Sequence, residues 1–433
     1  MRTLKNSMKW LALLVFGLAM GQQAYAQFGD VQYYRPWDKR GVNQFENTKS
    51  TDIDGDFKVR VGGDFAQQFQ MLTHENAAGE GIDGGLYDLG PGFNLATANL
   101  NLDVQLGDGI RLALENYMSS RHHSEFWVKG GYIQVDKLPM FGNPQWWTDY
   151  VTAKIGHFEV NYGDQHFRRT DNGNAMWNPF VGNYIMDAFA TEIGGEVYVK
   201  LPSGFMAMVG ITGGLIGGDV QSVENSDVKK NPSVLLKLAY DKQMNEDLRV
   251  RLSGSMYYNG NTKRNTLYAG DRTGSRYYLV MEADGAAAGT NFTSGRFNPN
   301  LRNKITAIQI NPFVKFKGLE FFGTYEMASG GVNTGGDNFE DRTATQIAAE
   351  LIYRFGATEN VYVGGRYNMI SGELFTGSTE TASIDRIQVA AGWFVTQNLL
   401  LKLEYVTQNY TDFTGLLDEG KFGGIMIEAV AGF

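Results

Sequence analysis

The chain has no cysteine, which excludes a disulfide scaffold, a thiolate metal site, a cysteine nucleophile and a lipid-modified N-terminal cysteine together. Histidine is scarce as well: His74, His122, His123, His157 and His166 are all there are. The His122-His123 pair has no third ligand beside it, and neither Ser119 nor Ser124 completes a nucleophile, base and acid at catalytic spacing, so no enzyme, metal or cofactor is expected. Phosphate-cradling loops are absent too. The glycine pairs Gly130-Gly131, Gly194-Gly195 and Gly364-Gly365 fall inside extended segments, where glycine permits bending or close packing. No apolar run reaches the roughly 20 residues that a membrane-spanning helix requires. The net charge of −9 and the lack of a basic cluster argue against a nucleic-acid partner.

What is present begins with a leader. Arg2, Lys5 and Lys9 precede the apolar stretch 10–20, and Ala24 and Ala26 supply small residues before a cut ahead of Gln27. This pattern predicts a cleaved secretory signal peptide over residues 1–26. The remainder is rich in glycine (54), tyrosine (22) and phenylalanine (27), with only nine prolines and a mean hydropathy of −0.28. Alternating lipid-facing and lumen-facing residues average to such a value.

Period-two alternation recurs along the chain in segments about as long as a tilted strand needs to cross a bilayer. Leu100, Leu102, Val104 and Leu106 oppose Asn99, Asn101, Asp103 and Gln105. Leu248, Val250, Leu252 and Met256 oppose Arg249, Arg251, Ser253 and Ser255, and Ile387, Val389, Ala391 and Trp393 oppose Arg386, Gln388 and Gly392. The last segment sets Ile425, Ile427, Ala429, Ala431 and Phe433 against Met426 and Glu428. Sixteen segments are read: 57–72, 96–106, 109–119, 126–136, 151–160, 187–200, 204–214, 232–242, 247–259, 304–317, 319–329, 342–355, 361–371, 383–395, 399–411 and 421–433. Tight turns follow even-numbered segments. The long connections 73–95, 161–186, 214–231, 260–303, 330–341, 372–382 and 412–420 follow odd ones. Short periplasmic turns and long external loops segregate in this way in an outer-membrane barrel, which puts both termini on the periplasmic side. Residues 276–282 are assigned to an external loop, because a seventeenth strand there would invert the parity downstream.

The fold class is therefore all-β: a transmembrane antiparallel barrel over 57–433, preceded by the signal peptide and by 27–56 as a periplasmic segment or small plug. Asp52, Asp54 and Asp56 lack the glycine position and distal glutamate of a calcium loop and read as a solvated linker.

Sixteen strands enclose a water-filled channel unless something blocks it. The inward faces carry Lys58, Arg60, Arg111, Lys154, Lys200, Lys237, Arg249, Arg251, Lys315, Lys317, Arg354, Arg366, Arg386 and Lys402. Acids on the same faces are Asp64, Asp103, Glu115, Glu192, Glu196, Glu320, Glu326, Glu350, Glu404 and Glu428. Such charges avoid the desolvation penalty only beside water or partners. The basic excess points to mild anion preference; pairing across neighbouring strands is the alternative. The connection 161–186 is too long for a hairpin turn. Its Asp164, His166, Arg168, Arg169 and Asp171 suit a constriction that screens solutes by size and charge.

Lys154-Ile155-Gly156-His157-Phe158-Glu159-Val160-Asn161-Tyr162-Gly163 followed by Arg168-Arg169 resembles a glycine–phenylalanine–glycine–arginine stretch of phosphate-selective-type porins. The stretches 35–46 and 62–70 look like porin-like outer-membrane proteins of Bacteroidota. The resemblance implies a passive, trimeric diffusion channel in the outer membrane of a Gram-negative bacterium, bathed by lipid and lipopolysaccharide and passing small hydrophilic solutes or ions. It also implies that the third external loop, 161–186 here, folds into the lumen. No arginine ladder runs along one side of the wall, a departure from a phosphate-binding pattern. The alternative function is a non-conducting structural or accessory barrel in an envelope complex.

Overall fold

The computed structural model describes residues 29–77, 85–121, 125–213, 230–262, 264–270, 274–335, 338–373 and 381–433. The leader 1–26, the His122-His123 pair, residues 78–84 of the connection 73–95 and most of the connections 214–231 and 372–382 lie outside these residues.

Sixteen long strands alternate in direction: β1 (Lys58–Glu75), β2 (Thr97–Gly107), β3 (Ile110–Ser119), β4 (Phe126–Val135), β5 (Val151–Glu159), β6 (Thr191–Lys200), β7 (Phe205–Thr212), β8 (Ser233–Gln243), β9 (Leu248–Asn259), β10 (Leu301–Phe316), β11 (Leu319–Gly335), β12 (Asn338–Phe355), β13 (Val361–Gly372), β14 (Ala382–Thr396), β15 (Leu399–Thr411) and β16 (Lys421–Gly432). Each pairs with its chain neighbours, and a two-residue strand, Gly92–Phe93, caps the upper half of β1. Closure comes from β1 itself. Its first half pairs with β2, from Lys58 opposite Gln105 to Ala66 opposite Thr97, and its second half with β16, from Asp64 opposite Gly432 to Glu75 opposite Lys421. A closed sheet leaves no unpaired edge, the condition for strands to stand in hydrocarbon.

The alternation read from the sequence is realised in three dimensions. Val61, Phe65, Leu100, Leu114, Ile155, Val209, Leu238, Ile347, Val389, Leu403 and Ile427 all point outward and are exposed, forming an apolar band. Their neighbours Asp64, Asn101, Arg251, Gln346, Gln388, Glu404 and Glu428 point inward and are buried.

Three segments depart from expectation. The connection 330–341 is mostly hairpin, because β11 and β12 stay paired as far as Gly335 opposite Asn338. Between β4 and β5, on the side of the tight turns, a 3-10 turn (Pro139–Phe141) and a short helix (Gln145–Tyr150) intervene. Residues 276–282 form no strand, as expected, but turn into the barrel instead of lying outside it: Arg276, Leu279 and Met281 have positive φ (77°, 62° and 56°), and Arg276, Tyr277 and Val280 are fully buried.

The bore that strand number alone would leave open to water is occupied at these levels. Connection 161–190 enters it, residues 264–270 and 274–300 cover it from the same end, and residues 29–57 enter from the end where the termini lie. Val181, Ile185 and Met186 of the first insert pack with Leu267, Tyr277 and Val280 of the second and with inward wall residues such as Leu235, Ile305 and Met426. Lumenal apolar cores form because two inserts from one end can hide surface against each other as well as against the wall.

Candidate functional site

The connection 161–186 reaches the lumen because β5 ends at Glu159 and the chain is at once caught by the wall. Ser255 Oγ accepts a hydrogen bond from the Gly163 amide (2.7 Å) and Asn311 Oδ1 one from the Asp164 amide (2.8 Å), both across the bore. Further on, Glu404 accepts from the Val181 amide (2.7 Å), Asn368 from Ile185 (2.7 Å) and Gln346 from Met186 (2.9 Å). Lys402 donates to the carbonyls of Ala175 (2.9 Å), Asn178 (3.2 Å) and Phe180 (3.0 Å). Wall side chains thus satisfy the insert's backbone, which a buried loop otherwise cannot do.

The five residues expected to constrict the pore are brought together there, each with a partner. Asp164 bridges Arg251 (2.7 Å) and Lys237 (2.8 Å). Arg168 reaches Glu350 (3.1 Å) and Asn43, while Arg169 forms a two-pronged pair with Asp187 (2.8 and 2.7 Å). Asp171 is held by Lys129 and Tyr117. His166 sits between Glu159 (3.0 Å) and Asn161 (3.0 Å) against the Phe167 ring. Burial lowers the His166 pKa, an effect that Glu159 only partly offsets.

The predicted wall residues fall into three groups. Arg251, Arg366, Arg386 and Lys402 grip the inserts: Arg366 binds Glu350 (2.8 Å) and the Gly182 carbonyl (2.9 Å), and Arg386 binds the carbonyls of Asn183 (2.6 Å) and Gly295 (2.7 Å). Glu192 instead joins wall to wall, accepting from Tyr257 (2.6 Å) and Thr212. Lys58, Arg249, Lys315 and Arg354 stand toward the terminal end, paired with Asp54, Asp241, Glu359 and Glu320 at 2.6–2.7 Å; Arg60 lies near them, its guanidinium over Tyr34. Arg111 and Lys154 face a remaining space, and Glu196 stands behind it, accepting from Tyr198 (2.6 Å) and the Asn161 amide (2.9 Å). Lys317, by contrast, sits on an exposed turn with φ 53°.

That space is a partly open cavity of about 170 Å³ between the inserted connection and the wall β2–β6, lined from the terminal side by Tyr34, Arg35, Trp37, Phe45, Glu46 and Asn47. The N-terminal segment is woven into it. Arg35 lies 3.4 Å from the Trp177 ring centroid and donates to the Gly41 (2.8 Å) and Phe167 (2.9 Å) carbonyls. Trp37 stacks on Trp177 at 5.2 Å, and Phe45 packs edge-on against Phe167 and Phe313. Gly41 is required here, because a Cβ would stand 2.2 Å from the Pro36 carbonyl and 2.4 Å from Trp177 Nε1. Glu46 pairs with Arg251 (2.8 Å) and Lys237 (2.9 Å). Burial alone would raise the Glu46 carboxyl; the two cations outweigh it and hold it well below the usual carboxylate range, and Asp164 is lowered by the same pair against the same burial.

Sequence reasoning passed over several of these groups. Lys129 is joined to Glu115 (3.1 Å), Glu159 (3.1 Å) and Asp171; its place between outward Phe126 and Val128 and the glycine pair was the available signal. Arg35 and Glu46 carried none, since nothing local tells a lumenal tail from a free one.

No protein-family model matches the sequence, and a search of curated proteins finds no relative. Solved structures do match in shape. An anion-selective porin from Comamonas acidovorans aligns with 87% of this chain and 100% of its own at 13% identity and a TM-score of 0.53. The chain folds as a porin barrel. The outer-membrane channel DcaP of Acinetobacter baumannii (11% identity, 88% and 100% coverage, TM-score 0.48) and OprB of Pseudomonas putida (12%, 87% and 94%, 0.48) also align.

Proposed function

We propose that the protein is an outer-membrane porin through which small hydrophilic solutes diffuse passively, by way of the cavity beside β2–β6. The observation that carries this reading is the arrangement of the shell: an apolar band outside, ionised groups of both signs inside, and a charged cavity beside the inserted connection. Nothing in a sealed structural cylinder calls for a polar cavity at that depth, where each unpartnered charge costs several kcal/mol. The resemblance to phosphate-selective-type porins of Bacteroidota agrees with this reading. It adds the further proposals that residues 1–26 are cleaved on export and that the barrel assembles as a homotrimer among lipid and lipopolysaccharide.

Ion preference follows from pairing. Six cations line the cavity, Arg35, Arg111, Lys129, Lys154, Arg169 and Lys200, against five carboxylates, Glu46, Asp103, Glu115, Glu159 and Asp171. Every one of those carboxylates has a cation within 3.1 Å, whereas the nearest carboxylate to Lys154 is 3.9 Å away. A mild preference for anions is the consequence, with Lys154 nearer to its source than Arg168 or Arg169.

A second reading has its own observation. Three segments fill the bore, and 29–57 has the form of a plug, which suits a non-conducting accessory barrel. Planar-bilayer recording of the purified protein separates the two: small, weakly anion-selective steps support the porin, and silence with stoichiometric co-purifying partners supports the accessory barrel.

A further inference from the structure

The cavity's leftover positive charge lies against rings, and that combination narrows what can occupy it. Resting on the channel reading above, we infer that the cavity takes small organic monoanions with a flat apolar body, an aromatic monocarboxylate being the simplest, in preference to inorganic phosphate.

The charge requirement comes from two lysines and an arginine that the cavity's carboxylates do not neutralise at close range. Lys154 has Glu196 at 3.9 Å and the Glu159 carbonyl at 3.5 Å. Lys200 donates to the Asn47 carbonyl, and Arg35 gives its hydrogens to backbone carbonyls. An ammonium carries three donors, so each lysine keeps hydrogens for an incoming oxygen.

The shape requirement comes from the same residues. Lys154 Nζ lies 4.4 Å from the ring centroids of Tyr132 and Phe158, Arg35 rests on Trp177, and Lys200 is 5.3 Å from Tyr198. A carboxylate that meets Lys154 therefore brings its body alongside aromatic faces. A ring there buries apolar area at about 25 cal/mol per Å² and gains stacking geometry as well. Phosphate has no apolar area to bury, and five carboxylates line the same space against its second charge. About 170 Å³ excludes large ligands.

Benzoate, benzyl alcohol and phosphate separate these requirements, measured on the full-length protein by calorimetry in detergent and by block of chloride current in bilayers. Benzoate is expected to bind roughly tenfold more tightly than either of the others, the worth of one charge-assisted hydrogen bond or of one buried ring. Lys154→Met should weaken benzoate about tenfold and leave benzyl alcohol unchanged, and Lys154→Arg should restore it. Heat-shifted gel mobility checks that each variant folds, and Lys200→Met is read in the same way should Lys154→Met fail to fold. Phosphate or benzyl alcohol binding as well as benzoate, or benzoate binding indifferent to both lysines, overturns the inference. A bilayer that stays silent while calorimetry shows benzoate binding removes the channel reading and leaves this one standing. Conduction with no preference for benzoate does the opposite.

Discussion

Glu350 is the joint at which the inserted connection meets the wall, and its removal tests whether the lumen is held by a hub of buried charge. Its side chain is 1% exposed and accepts from Arg168 (3.1 and 3.3 Å), from Arg366 (2.8 Å) and from Tyr184. Glu350→Ala strands both guanidiniums, themselves at 0–1% exposure. Arg168 would keep Asn43 and Glu320 at 3.8 Å, and Arg366 the Gly182 carbonyl and Gln388. Breaking one partner out of a buried pair costs about 3–5 kcal/mol, and two stranded cations put this variant near the upper end. Arg168→Ala is the contrasting case. Glu350 keeps Arg366, and Glu320 keeps Arg354 at 2.6 Å, so no charge is left alone and the loss is that of the bonds themselves, about 2 kcal/mol. Urea titration in detergent, read by the gel-mobility difference between folded and unfolded barrel, should place the two variants about 2–3 kcal/mol apart, Glu350→Ala the weaker. Equal losses, or a larger loss for Arg168→Ala, would refute the hub and show that the insert is anchored elsewhere.

Other perturbations address the remaining parts. Glu46→Gln removes the carboxylate that Arg251 and Lys237 share, so the N-terminal segment should dock less firmly, seen as faster protease cleavage within 29–57 and larger conductance steps. Gly41→Leu should release the same segment by steric conflict with Pro36 and Trp177, and unchanged protection would place the turn elsewhere. Because Glu46 and Asp164 have lowered pKa values, the stability that their ionised forms contribute is present above the ordinary carboxylate range and is lost only as pH falls below it. Segment protection should accordingly be flat from about pH 8 to 5, and release within that window would contradict the pairing. Leu403→Arg on the lipid face should cost about 2–4 kcal/mol in refolding titrations into vesicles if that residue stands at the bilayer midplane.

The wall was legible because two solvents enforce it. Each outward residue meets lipid and must be apolar, so Leu401, Leu403 and Tyr405 alternate with Lys402 and Glu404, and a slip by one residue would turn every charge into hydrocarbon. The inserts were less legible because no periodic rule governs them. Arg276 meets Glu428 (3.1 Å) across 152 positions and Glu46 meets Arg251 across 205, and local sequence holds no trace of such pairings. Residues 277–281, Tyr-Tyr-Leu-Val-Met, did carry a hint: an apolar run that is out of place in an external loop and fits a buried one.

The inward charges were the most ambiguous signal, since a wet pore and a packed lumen make the same demand on them. Water satisfies a lone lysine, and a partner satisfies a paired one; composition along a strand does not distinguish the two. What separates them is the balance at each site. At Arg366, Arg386 and Lys402 carbonyls and carboxylates of the bore take up the donors, and these residues act as fasteners. At Lys154 the nearest carboxylate stands off at 3.9 Å beside an open cavity, and the charge is left to act on whatever enters. On the channel reading proposed above, function is carried by the few inward groups that the fold leaves incompletely paired.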